Sequence, residues 1–446
     1  MTAESERGAD MLMSPPSSID ATAVGADGAR GDGQGAPRVE LAYEPRYQRF
    51  IVKKKSFTQQ FSHVYNKRLL ALKGAVRQAA EKRWGKEGEG GGVKFVDRLV
   101  NMREGDEWVV IGTTYKAMKL RPSILNEFRE DRGISMAVVA PVGSFTSEDD
   151  SLVLEDESGR VSISGPGIQS SSLVSGLVIA VKGTVTASGE MLVDDWCPAG
   201  IPPPVPLSSS KKKVGGRHDP LLVSLLVDFV AGYLGGVEDQ EGTSARIGRV
   251  IVCGDSVAAP SADLLSGTGP SKRLNAEQQR LVASPMKELD TILALLAAAA
   301  PVDVMPGESD PANYTLPQQP LHPCLLRNAS RFGALKRVTN PHEAKIGERL
   351  FLGSSGQPLL DMARYTTPDA EADKALLLCC ALAREMLKWR HMAPTAPETL
   401  GCYPFVTEDP FVVEECPDIF FAGNQPQFAT GILEGADGQK VHRVFV

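Results

Sequence analysis

The sequence predicts an α+β multidomain protein, a small β-barrel joined to a layered α/β domain. Three observations predict it. Between Trp108 and about Asp195, short β-branched runs alternate with Gly-containing turns. From about Pro220, strand-length apolar runs alternate with helical periodicity. Between them lies Ile201–Gly216, IPPPVPLSSSKKKVGG, with the composition of a linker or surface loop. The chain has 446 residues; at roughly 100–200 residues per domain, two or three domains are expected. The expected segments are a tail over 1–42, a helix plus barrel over 43–200, a linker over 201–219 and the α/β domain over 220–446.

Residues 1–42 are rich in Gly, Ala, Ser and Asp and poor in aromatics. Such a segment buries too little to offset its ordering entropy, so it reads as disordered. Lys53-Lys54-Lys55 reads as a nuclear import signal or as a solvated end. A helix is expected over Ser56–Val76, with Ser56 and Gln59 as a capping box. Phe57, Phe61, Val64, Tyr65, Leu69, Leu72 and Val76 form its apolar face. Trp84–Gly92 is a Gly, Glu and Lys-rich loop.

Trp108–Tyr115 is the first expected barrel strand. Leu152–Glu155 and Val161–Ser164 flank a Glu157-Ser158-Gly159 turn, and Leu177–Val185 and Met191–Val193 flank Ala187-Ser188-Gly189. The five-stranded oligonucleotide-binding barrel is the leading candidate. Its segment is poor in aromatics and carries Glu148, Asp149, Asp150, Glu155, Asp156 and Glu157, which repel phosphates. A protein-binding or structural barrel is therefore favoured over a single-strand reader.

In the second half, strands are expected at Leu221–Val227, Arg249–Cys253, Val302–Met305, Arg349–Leu352 and Asp418–Ala422. Helices are expected from Ser284-Pro285, as N-cap and first residue, and over Ala370–Leu387, with Cys379 and Cys380 as core filling. Strand–Gly–polar junctions recur at Val250–Asp255, Val302–Asp310 and Ile419–Gln425. Loops at strand carboxyl ends are where open α/β sheets assemble sites, although an ordinary strand-to-loop junction has the same composition.

Composition narrows the function. The net charge of -7 opposes nucleic-acid binding over the whole surface, which needs Lys and Arg against phosphates. Seven cysteines without a C-x-x-C pair fit reduced thiols better than disulfides or zinc. No N-terminal apolar segment reads as a secretory signal, and Ile292–Ala300 is too short to span a bilayer.

Gly254-Asp255, Gly307-Glu308-Ser309-Asp310 and Gly423-Asn424-Gln425-Pro426 look like a degraded set of calcineurin-like metallophosphoesterase motifs. Longer stretches are more specific: GTTYKAMKLRPSIL (Gly112–Leu125), LVLEDESGR (Leu152–Arg160), PVDVMPGESDPANYTLPQQPLHP (Pro301–Pro323) and HMAPTAPETLGCYPF (His391–Phe405). Together they closely resemble the small accessory subunits of eukaryotic DNA polymerase delta, from about residue 45 to the end. The resemblance implies an oligonucleotide-binding barrel joined to an inactivated phosphoesterase domain. It implies a non-catalytic nuclear scaffold, without a resident cofactor, for DNA replication and repair. Its implied partners are the catalytic subunit's C-terminal cysteine-rich module and a third, extended subunit, with DNA reached mainly indirectly and no membrane.

A two-metal phosphoesterase needs Asp, His and Asn ligands at strand ends. By that resemblance, Ser224 and Leu226 stand where the first Asp-x-His would be. Glu308 and Ser309 replace the Asn and His of the second motif, and Asn424 and Pro426 replace the last two histidines. Asp255, Asp310 and His391 are the vestigial positions, able to hold one ion weakly or kept as hydrogen-bonded loop residues. An active metal-dependent phosphodiesterase or 3′–5′ nuclease, like the archaeal relatives, is the alternative. The terminal VHRVFV (Val441–Val446) reads as a strand in progress, with an edge strand expected beyond it.

Overall fold

The computed structural model describes residues 37–85, 93–121, 144–203, 220–257, 276–365, 372–425, 428–434 and 440–445. The strands of the first half are β2 (Phe95–Val96), β3 (Glu107–Ala117), β4 (Ser151–Glu155), β5 (Arg160–Ser164), β6 (Val178–Val185) and β7 (Met191–Pro198). They lie in the order β2-β3-β4-β5-β7-β6, and β3 also pairs with β6. That last pairing closes β3, β4, β5, β7 and β6 into a five-stranded barrel with no free edge. The one parallel contact around the ring, β5 with β7, is where the chain crosses over instead of turning. Both expected hairpins are present in antiparallel register.

Helix α1 spans Ser62–Trp84, six residues later than expected at its start. Ser56 is not its cap, because the Ser56 amide donates to the Tyr403 hydroxyl at 2.7 Å. Phe57 and Phe61 therefore precede the helix and stand in solvent. The rest of the apolar face holds: Leu69, Leu72, Val76 and Ala80 pack on Val109, Ile111, Val178 and Ala180 of the barrel.

The second domain is a four-layer sandwich. One sheet has the order β10-β9-β8, from β8 (Val250–Val252), β9 (Val302–Val304) and β10 (Leu335–Arg337), all parallel. The other has the order β1-β11-β12-β13-β15-β14, from β1 (Tyr43–Pro45), β11 (His342–Ile346), β12 (Arg349–Ser354), β13 (Ile419–Ala422), β14 (Thr430–Glu434) and β15 (Lys440–Phe445). Side-chain alternation sets the layers. Val302 and Val304 face helices α2 (Pro220–Ala231) and α3 (Ala276–Ala299). Met305 and Val338 meet Phe421 and Phe351 between the sheets. Phe420 and Leu352 face outward with α4 (Gln357–Ala363) and α5 (Ala372–Trp389), among Leu359, Leu382 and Met386.

Three expectations are corrected here. Leu221–Val227 is helix, not strand: an unbroken apolar run carries no period, and only Val227 and Val230, three apart, are buried. Pro285 lies inside α3, not at its start. Part of the expected tail and of the barrel segment belongs to the second domain. Arg38 donates to the Ser244 and Ile247 carbonyls at 2.8 and 2.9 Å, and Tyr43–Pro45 pairs antiparallel with Ala344–Ile346. The terminal run is a strand as expected: β15, through Phe445, lies between β13 and β14. Residues 1–36 and 204–219, most of the expected tail and linker, lie outside the described residues.

The domains share one continuous core, in which Leu173, Ile179 and Met191 of the barrel join Leu387, Trp389 and Phe411. Polar groups cross it too. The Phe145 amide donates to the Arg364 carbonyl at 2.7 Å. The buried Lys116 ammonium donates to the Tyr365 carbonyl at 3.2 Å. No helix among the described residues is long and apolar enough to cross a membrane.

Candidate functional site

The loops after β8, β9, β12 and β13 converge at one end of the two sheets. Asp255 Oδ1 accepts from the Ser309 amide at 2.7 Å. The Asn424 amide group reaches the Cys253 carbonyl at 3.3 Å and the Ser355 carbonyl at 2.9 Å. Asp255 and Asn424 both adopt left-handed backbone, at φ 51° and 57°, which Asp and Asn tolerate better than most residues. The approach of the loops is backbone to backbone. A Cβ at Gly307 would lie 2.1 Å from the Asp255 nitrogen, and one at Gly254 would lie 2.6 Å from the Gly307 nitrogen. Only glycine fits at that contact.

Asp310 is buried and acts as a staple. Its carboxylate accepts from the Gly307 amide at 2.8 Å and from the Ser256 and Val257 amides at 3.0 Å each, tying the β8 loop to the β9 loop. Burial pushes this carboxyl above its ordinary range, and the backbone donors oppose that shift. Glu308 and Ser309 are exposed at the loop tip.

Beneath the loops lies a buried network of neutral amides. Asn340 Nδ2 lies 2.8 Å from each of Gln318 Oε1, Ser355 Oγ and Gln357 Oε1 and shares its two protons among them, while Asn340 Oδ1 accepts from the Ser355 amide at 3.0 Å. Gln357 Nε2 donates to Gln318 Oε1 at 3.0 Å, and Gln318 Nε2 donates to the Gly307 carbonyl at 2.8 Å. Every link pairs a donor with an acceptor without a formal charge. Among the described residues, no group of three His, Cys, Asp or Glu side chains is placed to hold a metal ion.

The remaining expected positions lie elsewhere. Ser224 and Leu226 sit on α2, not at a strand end, and both are exposed. Pro426 lies outside the described residues. His391 does not join Asp255 and Asp310. It is buried against the barrel, its Nε2 2.9 Å from Asp409 Oδ2, while its Nδ1 accepts from the Ala393 amide at 3.1 Å. Asp409 Oδ2 also accepts from Arg68 Nε at 2.8 Å. The rest of that guanidinium donates to the carbonyls of Gly176, Pro394 and Ala396, at 3.0, 2.7 and 2.8 Å. Arg68 therefore bolts α1 and the barrel to the second domain.

The charges within this cluster settle each other. Burial alone would raise the Asp409 carboxyl, but Arg68 and His391 outweigh it and hold Asp409 well below the carboxylate range. Burial, and then Arg68, push His391 down to about 4 against the pull of Asp409. The geometry requires the same protonation state: Nδ1 already accepts a backbone proton, so the imidazole is neutral with its proton on Nε2.

Sequence reasoning missed Arg68, Asp409 and the three amides. Arg68 had a signal, since Val64, Arg68, Leu72, Val76 and Ala80 recur every four residues and all are buried. An arginine inside such a stripe has to find a buried acceptor. The amides follow no pattern of spacing.

Comparison with known proteins accords with both halves. Residues 60–196 match the family described as the DNA polymerase delta subunit OB-fold domain. Residues 214–430 match the family of B subunits of DNA polymerases alpha and epsilon. The chain is 37% identical over 421 residues to the DNA polymerase delta small subunit of Oryza sativa subsp. japonica, covering 92% of each. It is 36% identical to the corresponding Arabidopsis thaliana protein, covering 92% of this chain and 91% of that one. It is 33% identical to DNA polymerase delta subunit 2 of Drosophila melanogaster, covering 92% and 93%. With a closed five-stranded barrel, an α/β sandwich bolted to it and likeness along nearly its whole length, the chain belongs to the family of DNA polymerase delta small subunits.

Proposed function

We propose that this chain is a non-catalytic accessory subunit of the DNA polymerase delta complex in the nucleus. In this reading it links the catalytic subunit's C-terminal cysteine-rich module to a third, extended subunit during replication and repair synthesis. Its second domain is a calcineurin-like phosphoesterase fold that has lost turnover. Family membership supports the assembly role. The observation that carries the non-catalytic reading is the state of the strand-end loops. Asp310 is occupied by three backbone donors, Asp255 by a fourth, and neutral amides fill the space beneath. A dinuclear hydrolase needs charged ligands free to face two cations. The continuous core and the Arg68 bolt fit a scaffold that acts by presenting fixed surfaces and raising the local concentration of its partners.

The test has two arms. The purified chain is assayed with manganese on single-stranded DNA and on a chromogenic diester, beside Asp255→Ala. Equal background in both supports the reading, and turnover that disappears with Asp255→Ala overturns it. Co-purification with the catalytic subunit's C-terminal module and the third subunit tests the link, and failure to retain both together removes it.

A further inference from the structure

Lys53, Lys54 and Lys55 are exposed, and among the described residues none of them is in an ion pair. They are not a loose end. The Tyr403 hydroxyl accepts from the Ser56 amide at 2.7 Å and donates to the Lys54 carbonyl at 3.0 Å, so one phenol grips the backbone on both sides of Lys55. Just upstream, Gln319 holds the segment leading into the lysines, accepting from the Val52 amide at 3.0 Å and donating to the Phe50 carbonyl at 2.9 Å.

Aromatic surface lies beside this pinned basic segment. The Phe57 ring meets Tyr403 edge-on at 5.5 Å between centroids, and Tyr403 meets Phe405 at 5.0 Å. Phe57 is nevertheless 66% exposed, Phe61 45%, and Tyr314, which lies against Gly401 two residues from Tyr403, 73%. Holding large rings in water forgoes their burial energy, and a cluster of them marks a contact surface. The chain as a whole is acidic, so a lysine run that forms no ion pair among the described residues, beside such rings, is a local exception to its charge.

We propose that Lys53–Lys55, Phe57 and Tyr314 form a binding surface for single-stranded nucleic acid at the junction of the two domains. Lysines that carry no carboxylate neutralise phosphates without first breaking an ion pair. Exposed ring faces accept bases by stacking, without sequence preference. The carboxylates of an acidic peptide would engage the lysines but do not stack on the rings as every base of a single strand does. The barrel face is not part of this surface.

The experiment is fluorescence anisotropy of a labelled twelve-nucleotide oligo-dT with the full chain, alone and in the assembled complex, over a salt series. Three lysines neutralising phosphates give a slope of about −2 in log K against log salt. Lys53→Glu/Lys54→Glu/Lys55→Glu should abolish binding and its salt slope. Phe57→Leu should weaken it roughly tenfold, the size of one lost base stack, while Phe57→Tyr retains it. All substituted positions are exposed, so unchanged melting temperatures confirm that each variant folds. Absence of oligo-dT binding at low salt overturns the proposal. So does Phe57→Leu binding as well as the parent, or polyglutamate displacing the oligonucleotide as effectively as unlabelled oligo-dT. That last result would identify an acidic protein segment as the partner.

Discussion

Two buried polar clusters in this molecule are built from opposite materials. At the strand ends, Asn340, Gln318 and Gln357 bond to one another as neutral amides. At the domain junction, Arg68, Asp409 and His391 bring formal charge into an equally buried place. Neutral amides carry a modest desolvation cost and give direction without attracting ions. A buried charge is costly unless its partner is perfectly placed, so its removal is felt across the whole interface. Full charge holds the two domains in one arrangement, whereas the side chains that bond to one another beneath the strand-end loops are neutral.

The sharpest way to break the contrast is Arg68→Met. It leaves Asp409 ionised, buried and without its guanidinium, and strips donors from three carbonyls. A loss of about 3–5 kcal/mol is expected, read as a lower denaturation midpoint and as faster proteolysis between barrel and sandwich. Asn340→Ala should cost less, about 2–3 kcal/mol, because its unpaired partners are uncharged. Equal losses in the two variants would erase the distinction.

Acid provides the next test. His391 sits near 4 in the folded chain, below its unfolded value of about 6.5. The unfolded chain therefore takes the proton first. Stability that is full above about pH 6.5 is lost as pH falls toward 4, by up to about 1.4 kcal/mol per pH unit for this one group. Asp409 is held lower still, so its contribution is lost only in stronger acid. Denaturant midpoints measured between pH 7 and pH 4 should show the slope, and His391→Gln should flatten it. A parent chain already flat over that window would mean that His391 is not buried neutral.

The smallest expected effect is at the strand ends. Asp310→Asn turns one acceptor oxygen into a donor facing backbone N–H groups, for a loss of about 1–2 kcal/mol. Calorimetric melting is the measurement. A variant unable to fold would show the loop staple to be as essential as the Arg68 bolt.

Much of the barrel was legible because its strands alternate and its turns carry glycine, and the hairpin at Glu157-Ser158-Gly159 is an example. Leu221–Val227 was not, because a run that is apolar throughout supports a strand or a helix equally until its partners are known. The capping box at Ser56 satisfied a local rule that a distant phenol overrode. At the site, Asp255 and Asp310 were found from their loops, since a strand end followed by glycine and an acid is a local pattern. His391 is hydrogen-bonded too, but apart from them, because what holds it is not local. Asp409 lies 18 residues further along the chain, and the Arg68 that shares Asp409 lies 341 residues before it.

The pairing of Tyr43–Pro45 with Ala344–Ile346 has a consequence for synthesis. Once made, β1 finds its neighbour only after about 300 further residues, from Tyr43 to Ile346, have been added. At ribosomal rates that is a wait of roughly 15–60 s. The barrel can close within that interval, because all of its strands lie between the two partners. A barrel closed in that interval would leave β1 unpaired until the strands of the sandwich have been made.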